Sequence, residues 1–279
     1  MPPAALKVGP MDRSRVAIVG YGRLGRACAQ ALQDSADLEL AGIVRRGDHV
    51  RDLRAVNVAL VCVPAGDVLD VASALLQQRI AVVECASLEG RALETHHAEL
   101  MHRAQRHRAR AMVGAGWDPG VLTLLRRGFE MLVPHGNEEM TRRPALPLHH
   151  TAEAIPGVRA ALAAERHAGS ERQRYLYVEL APGAQLDAVR EAVAADGAFA
   201  GEPTQVFAVD SVAALESEGH GLLLERRGDA RSGSHAALVL EARFDPMLFA
   251  ARAMLDAARC LPRLGVGGHR YCLSYAPLP

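Results

Sequence analysis

The sequence predicts an α/β protein in two parts: an N-terminal doubly wound parallel sheet, then a second, strand-rich α+β domain. Three observations lead there. Short apolar runs alternate with helix-period stretches as far as about residue 118. One such run, Val16-Ala17-Ile18-Val19, enters a G-x-G-x-x-G turn at Gly20, Gly22 and Gly25, and a helix pattern leaves it. Beyond about residue 134, strand-like runs outnumber helices and carry hairpin-like spacing. A chain of 279 residues can give each part its own core. The boundaries read as 1–118 and 119–279, with a helix at about 246–260 placed to pack back on the first domain.

In order, strand one lies at about 15–19, its helix at 23–33 and strand two at 38–45. The run from Val56 to Val63 is almost continuously apolar, as a strand buried on both faces must be. A helix at 67–78, a strand at 80–84, a helix at 90–108 and the run Ala111-Met112-Val113 complete the alternation. A helix from Pro119 to about Leu132 follows, with Asp118 in N-cap position and Pro119 at N1. Residues 134–148 hold three prolines and little periodicity, and read as a loop or edge region. Strand-like runs come at 174–180, 204–209, 221–225 and 236–243, with a helix at 184–194.

The glycine turn reads as a Rossmann-type dinucleotide site. Gly20 makes the tight turn, Gly22 lets the backbone approach a pyrophosphate, and Gly25 lets helix pack on strand. Tyr21, Arg23 and Leu24 belong to the same turn, whose helix N-terminus favours phosphate. An NAD site carries an acid about 20 residues further on, to hold the ribose hydroxyls. This chain has Arg45-Arg46, which can pair with a 2′-phosphate that an acid would repel, so the cofactor reads as NADP(H). The bland alternative is two solvated arginines in an arginine-rich chain. Val63 and Pro64 end the third strand and should skirt the cofactor.

Formal net charge is zero, so nothing points to nucleic acid or an anionic membrane. No apolar run is long enough to span a bilayer, and the first ten residues read as a disordered arm without a signal-peptide pattern. Five dispersed cysteines fit a reducing cytoplasm better than a disulfide framework. No metal site is expected. His97, His102 and His107 step by five, which rotates them apart on a helix, and they read as a solvated face; His149-His150 is a weaker candidate.

Several segments in order resemble the meso-diaminopimelate dehydrogenase family. These are Arg15 to Gly22, Trp117-Asp118-Pro119-Gly120, Ile155-Pro156-Gly157-Val158, Tyr177-Val178-Glu179-Leu180, Gly219-His220-Gly221 and Ser234-His235. The resemblance implies an NADP-dependent Rossmann domain, a substrate-binding and dimerisation domain, and a homodimer. The activity it implies is oxidation of a D-configured amino centre, or reductive amination in reverse. It assigns the 2′-phosphate to Arg45-Arg46, the reacting amine to Asp118 beside Trp117, and the distal carboxylate to Arg174 and His235. Where the family has a D-[ST]-Y-D loop, this chain has Glu84-Cys85-Ala86-Ser87. Glu84 survives as an acid and Ser87 replaces the substrate-facing aspartate. The carboxylate-cradling glycine-rich segment is replaced by residues 142–151, and a threonine becomes Glu165. These departures fall in the substrate pocket, which points to an amino-acid substrate other than, or broader than, meso-diaminopimelate. From the residues alone the N-cap is the readier reading of Asp118, and two rival functions stay open: an NADPH-dependent imine reductase, and a non-catalytic NADPH-binding regulatory or scaffold protein.

Overall fold

The computed structural model describes residues 13–88, 90–143, 152–168, 171–201, 203–217, 221–229 and 236–273. Two compact units emerge: residues 1–125 with 246–279, and residues 126–245. The first unit thus extends past the expected boundary at 118/119 to residue 125, and it takes in the C-terminal segment whose helix was expected to pack back on it.

The first unit alternates strand and helix: β1 (Ser14–Val19), α1 (Arg23–Gln33), β2 (Leu38–Val44), β3 (Val58–Val61), α2 (Ala65–Gln77), β4 (Ala81–Glu84), α3 (Gly90–Arg106) and β5 (Arg110–Val113). After Trp117–Val121 comes α4 (Leu122–Leu132), of which Leu122–Leu125 belong to this unit. The chain comes back as α7 (Pro246–Cys260) and β12 (Gly267–Arg270). All pairings are parallel, in the order β2-β1-β3-β4-β5-β12. Strand order reverses between β1 and β3, which makes their C-terminal ends the switch point where such sheets take ligands.

Alternation along the strands explains the two helical layers. Val16, Ile18, Val58, Leu60 and Met112 pack with Cys28 and Leu32 of α1 and Met254 and Leu255 of α7. Their neighbours Ala59, Val61, Val82, Ala111 and Val113 pack with Val68 and Leu75 of α2 and Leu100 of α3. With both faces covered, the strands read as continuous apolar runs. β12, Gly-Gly-His-Arg, carries no apolar signal and escapes sequence reading; a Cβ on Gly268 would run into Met101 of α3.

The second unit holds β6 (Gly136–Arg143), β7 (Val158–Ala168), β8 (Glu171–Leu180), α5 (Leu186–Ala195), β9 (Thr204–Ala208), α6 (Val212–Ser217), β10 (Gly221–Gly228) and β11 (Ala237–Arg243). Their order is β11-β10-β6-β7-β8-β9, antiparallel except for β8 with β9, which α5 connects. β6 corrects the loop or edge reading over residues 136–143, since it is an interior strand. Its polar residues are matched across the sheet: Glu139 pairs with Arg166 and Glu138 with Arg226, while Met140 is buried. α5 lays Val189 and Val193 over Ala161, Ala163, Leu176 and Val178. No described helix is long and apolar enough to cross a membrane.

Candidate active site

β1 delivers the chain into Gly20 at φ +95°, a left-handed conformation that glycine adopts without strain. A Cβ on Gly20 would meet the Cys62 carbonyl, and one on Gly25 would overlap the carbonyl of Gly20. Gly22 differs: a Cβ there would have nothing within 4 Å. It is the N-cap of α1 and makes no side-chain cap hydrogen bond. The glycine spacing thus does two jobs, close packing at Gly20 and Gly25 and open backbone at Gly22. Tyr21 is half-buried, and Leu24 packs against the core from the first turn of α1, where Arg23 is exposed.

The loop after β3 borders this turn. The Cys62 N–H donates to the Val19 carbonyl at 2.7 Å, and a Cβ on Gly20 would lie 3.0 Å from the Val63 side chain. Pro64 follows at the surface as the N-cap of α2. At the end of β2, Arg45 and Arg46 are exposed, and the Arg45 guanidinium lies 5.0 Å from the centre of the Tyr21 ring. A turn fixes this end: the Asp48 carboxylate accepts the Arg45 N–H at 2.7 Å. The cradle fits a phosphorylated dinucleotide, with a backbone approach at Gly22 and two cations beside an aromatic ring. Cys28 and Cys62 face each other at 3.9 Å, and their mutual hydrogen bond, then burial, pushes the Cys62 thiol up. Burial likewise raises Cys85, so neither thiol is primed as a nucleophile.

The second part of the site is the corner after β5. Gly114 turns at φ +70°, and the Ala115 N–H donates to the Glu84 carbonyl at 2.8 Å. The chain folds back so that Gly120 packs on the Gly114 carbonyl and the Val121 N–H reaches the Gly116 carbonyl at 3.0 Å. Within the corner Asp118 is extended (φ −130°, ψ 117°) and its bond to Pro119 is cis. Asp118 is the one residue of Trp117–Val121 with non-helical dihedrals, so the backbone turns helical at Pro119 and runs into α4, as expected with Asp118 in N-cap position. Asp118 stays half-buried at a strand's C-terminal end. Trp117 beside it meets Phe249 of α7 edge-on, with centroids 5.3 Å apart.

Two sequence readings around this corner change. Glu84, read as the acid that survives in the substrate loop, is fully buried: one carboxylate oxygen accepts the Gly114 N–H at 3.0 Å and the other the Ala86 N–H at 2.6 Å. It holds backbone. Ser87, three residues on, is exposed. His97, read as part of a solvated face, is buried beside the equally buried His96, whereas His102 is exposed. Sequence reading missed this pair. The signal was present, because Leu93, His96, His97, Leu100 and Ala104 form a helical stripe of the kind that faces a core.

In the second unit, Arg174 stands directly across from Glu165 in the β7–β8 ladder. Its Nε donates to Glu165 Oε1 at 3.2 Å and its Nη1 to the Ala198 carbonyl at 3.2 Å. His167 Nε2 lies 3.4 Å from the other carboxylate oxygen, and Arg172 is 4.0 Å away. Burial alone would raise the Glu165 carboxyl, but the bonds from His167 and Arg174 and the charge of Arg172 hold it at about 2. The arginine expected to grip a substrate carboxylate already grips one of the protein's own. His235, His149-His150 and residues 144–151 lie outside the described residues. No cluster of metal-ligating side chains occurs among the described residues.

No protein-family model matches the chain. Over 267 residues it is 31% identical to the meso-diaminopimelate D-dehydrogenase of Bacteroides fragilis, covering 89% of each. Its fold is similar to a multiply substituted meso-diaminopimelate dehydrogenase from Clostridium tetani solved with DAP (TM-score 0.74, 18% identity, 96% of this chain and 97% of that one). It is similar also to C. glutamicum DAP dehydrogenase in complex with DAP (TM-score 0.72, 20% identity, 96% and 97%). An engineered D-amino acid dehydrogenase bound to NADP+ aligns comparably (TM-score 0.68, 20% identity, 96% and 97%). The structures establish a shared fold; the near full-length identity to the B. fragilis enzyme goes further, and by it the chain belongs to the meso-diaminopimelate dehydrogenase family.

Proposed function

We propose that the protein is an NADP(H)-dependent dehydrogenase acting at the amine-bearing carbon of an amino acid other than, or broader than, meso-diaminopimelate. The observation that carries this reading is the cradle at the switch point: open backbone at Gly22 beside exposed Arg45, stacked on Tyr21, and Arg46. Gly20, Tyr21, Gly22, Arg23, Leu24 and Gly25 would hold the pyrophosphate side, Arg45 and Arg46 the 2′-phosphate, and Val63 and Pro64 the adjoining edge. When bound, the nicotinamide exchanges a hydride with the substrate carbon. Asp118 would hold the ammonium and stabilise positive charge developing on nitrogen, with Trp117 excluding water beside it.

The Glu165–Arg174 pair supports the substrate part of the reading. A second carboxylate arriving at Arg174 would meet Glu165, held ionised, in the same place. This favours amino acids whose side chain ends in a neutral or cationic group. Homodimer formation is part of the proposal: strand register puts Tyr177, Phe207, Leu223 and Val239 on one sheet face, and the last three are exposed. A cytoplasmic setting suits the free cysteines of the described chain.

The test is turnover. The pure protein is incubated with NADP+ and a panel of D- and L-amino acids, then with NADPH, ammonia and keto acids. Oxidation of D-amino acids with neutral or basic side chains is expected. Ammonia-independent reduction of a cyclic imine would instead mark an imine reductase. Silence on every arm despite saturable NADPH binding would overturn the enzymatic reading.

A further inference from the structure

The corner that carries Trp117 and Asp118 is tied at its start to one buried residue. Glu84 closes β4, and it accepts three hydrogen bonds from two separate segments. Its carbonyl takes the Ala115 N–H at 2.8 Å, Oε1 takes the Gly114 N–H at 3.0 Å, and Oε2 takes the Ala86 N–H at 2.6 Å. The loop of Cys85 to Ser87 and the start of the corner are therefore clamped to the same carboxylate. Behind it, α3 contributes two more titratable groups. His96 Nε2 lies 3.5 Å from Glu84 Oε2, and the His97 imidazole packs against Gly114, its Nε2 3.8 Å from where a Cβ would sit. The rings are 6.2 Å apart. Among the described residues, His96 Nε2 and both ring nitrogens of His97 are buried without a hydrogen-bond partner. Burying polar atoms in that state costs on the order of 1–3 kcal/mol each, so plain packing is a poor explanation for two adjacent histidines here.

We propose that Glu84 is the positioning residue of the Trp117–Asp118 corner, and that His97, packed on Gly114 beside His96, makes its grip depend on protonation. A proton taken up from solvent by His97 sets a positive charge against Gly114, whose N–H is the donor that Glu84 Oε1 accepts. The charged and titratable groups facing this cluster are Glu84 on β4, Cys85 on the following loop, His96 and His97 on α3 and Arg270 on β12. Burial first, then Arg270 and His96, hold His97 neutral near pH 7, while Glu84 opposes them. Neutral His97 therefore keeps the corner set for Asp118, and acid loosens it. The kinetic consequence rests on reading Asp118 as the group that holds the reacting nitrogen; the structural one does not.

Trp117, the single tryptophan of the chain, reports on the corner directly. In Glu84→Gln, an amide NH2 faces a backbone N–H where an oxygen stood. Acrylamide quenching of Trp117 should then rise, while NADPH affinity changes by no more than about twofold. The kcat for amine oxidation should fall by about tenfold, the equivalent of one buried hydrogen bond, and Glu84→Asp should restore part of it. In the wild type, Trp117 emission should change as pH falls below 6.5, and the His96→Gln/His97→Gln double variant should flatten that change. Equal Trp117 quenching in folded Glu84→Gln and wild type overturns the proposal. So does an identical pH response in the double variant, which decides the matter should Glu84→Gln fail to fold. A wild type that oxidises no amine yet shows these Trp117 responses removes the dehydrogenase reading and leaves the clamp standing.

Discussion

Two glycines of one motif answer to different masters, and a methyl group separates them. A Cβ on Gly25 would overlap the Gly20 carbonyl, so Gly25→Ala must push α1 off β1 and should lower stability by about 1–3 kcal/mol as an overpacked contact. Gly22 has open space and φ −77°, so Gly22→Ala should melt within a degree or two of the wild type, since roughly ±0.5 kcal/mol is usual for a surface change. The same methyl would stand where a pyrophosphate approaches, and NADPH affinity should fall by about tenfold or more, because a close backbone contact is lost. Thermal melts and fluorescence titration read the two effects apart; unaltered affinity in Gly22→Ala would remove the phosphate from this turn. Replacing Arg45 and Arg46 by Ala should likewise weaken NADPH by roughly tenfold or more and NADH little, as expected for charge-assisted bonds to one extra phosphate. These residues were legible in the sequence because their chemistry is local: tight turn, open backbone and cation recur at fixed spacing.

Secondary elements were legible only where burial wrote an apolar pattern. β3 and α7 show it plainly. β6, Gly-Asn-Glu-Glu-Met-Thr-Arg-Arg, does not, because its buried neighbours are partly ionic and their partners lie on other strands. β7 is rich in alanine, which carries no strand preference, and becomes a strand because it is paired on both sides. Pairing also decides what Arg174 can do, and no local pattern could show that. Exchanging Glu165 for Gln keeps the shape and releases the guanidinium. If Arg174 meets substrate, Glu165→Gln should improve kcat/KM for D-amino acids with a side-chain carboxylate by about tenfold relative to neutral ones, since one charge–charge conflict disappears. An unchanged ratio would mean that this ion pair serves the sheet alone. Acid should separately weaken this ladder. The Glu165 carboxyl is held at about 2 against an ordinary 4.5, so its contribution is complete above pH 4.5 and drains away as pH falls toward 2.

For the whole molecule, acid and the returning tail test the same first unit in different ways. His97 is neutral when folded, with its pKa pushed below 6.5 mainly by burial. Above pH 6.5 neither the folded nor the unfolded chain protonates it; below that, the unfolded chain takes up a proton that the native one refuses. Stability should therefore fall as pH drops from 6.5, and His97→Gln should blunt that slope in denaturant titrations. The tail matters through α7. Met254 is fully buried, joins the layer over Val16, Ile18 and Leu60, and receives the Cys85 thiol at 3.7 Å. The sheet face is thus closed by residues more than 130 positions after β5 in sequence, and the Rossmann-like half is incomplete until that segment folds back. Met254→Ala should cost about 2–5 kcal/mol, as large-to-small core changes do, whereas Met131→Ala at a site 72% exposed should cost under about 0.5 kcal/mol. A chemical denaturation midpoint that moves equally in both variants would mean that α7 adds little to the core. A selective loss in Met254→Ala, accompanied by weaker NADPH binding, would mean that the cradle at β1 depends on a helix that the chain supplies last.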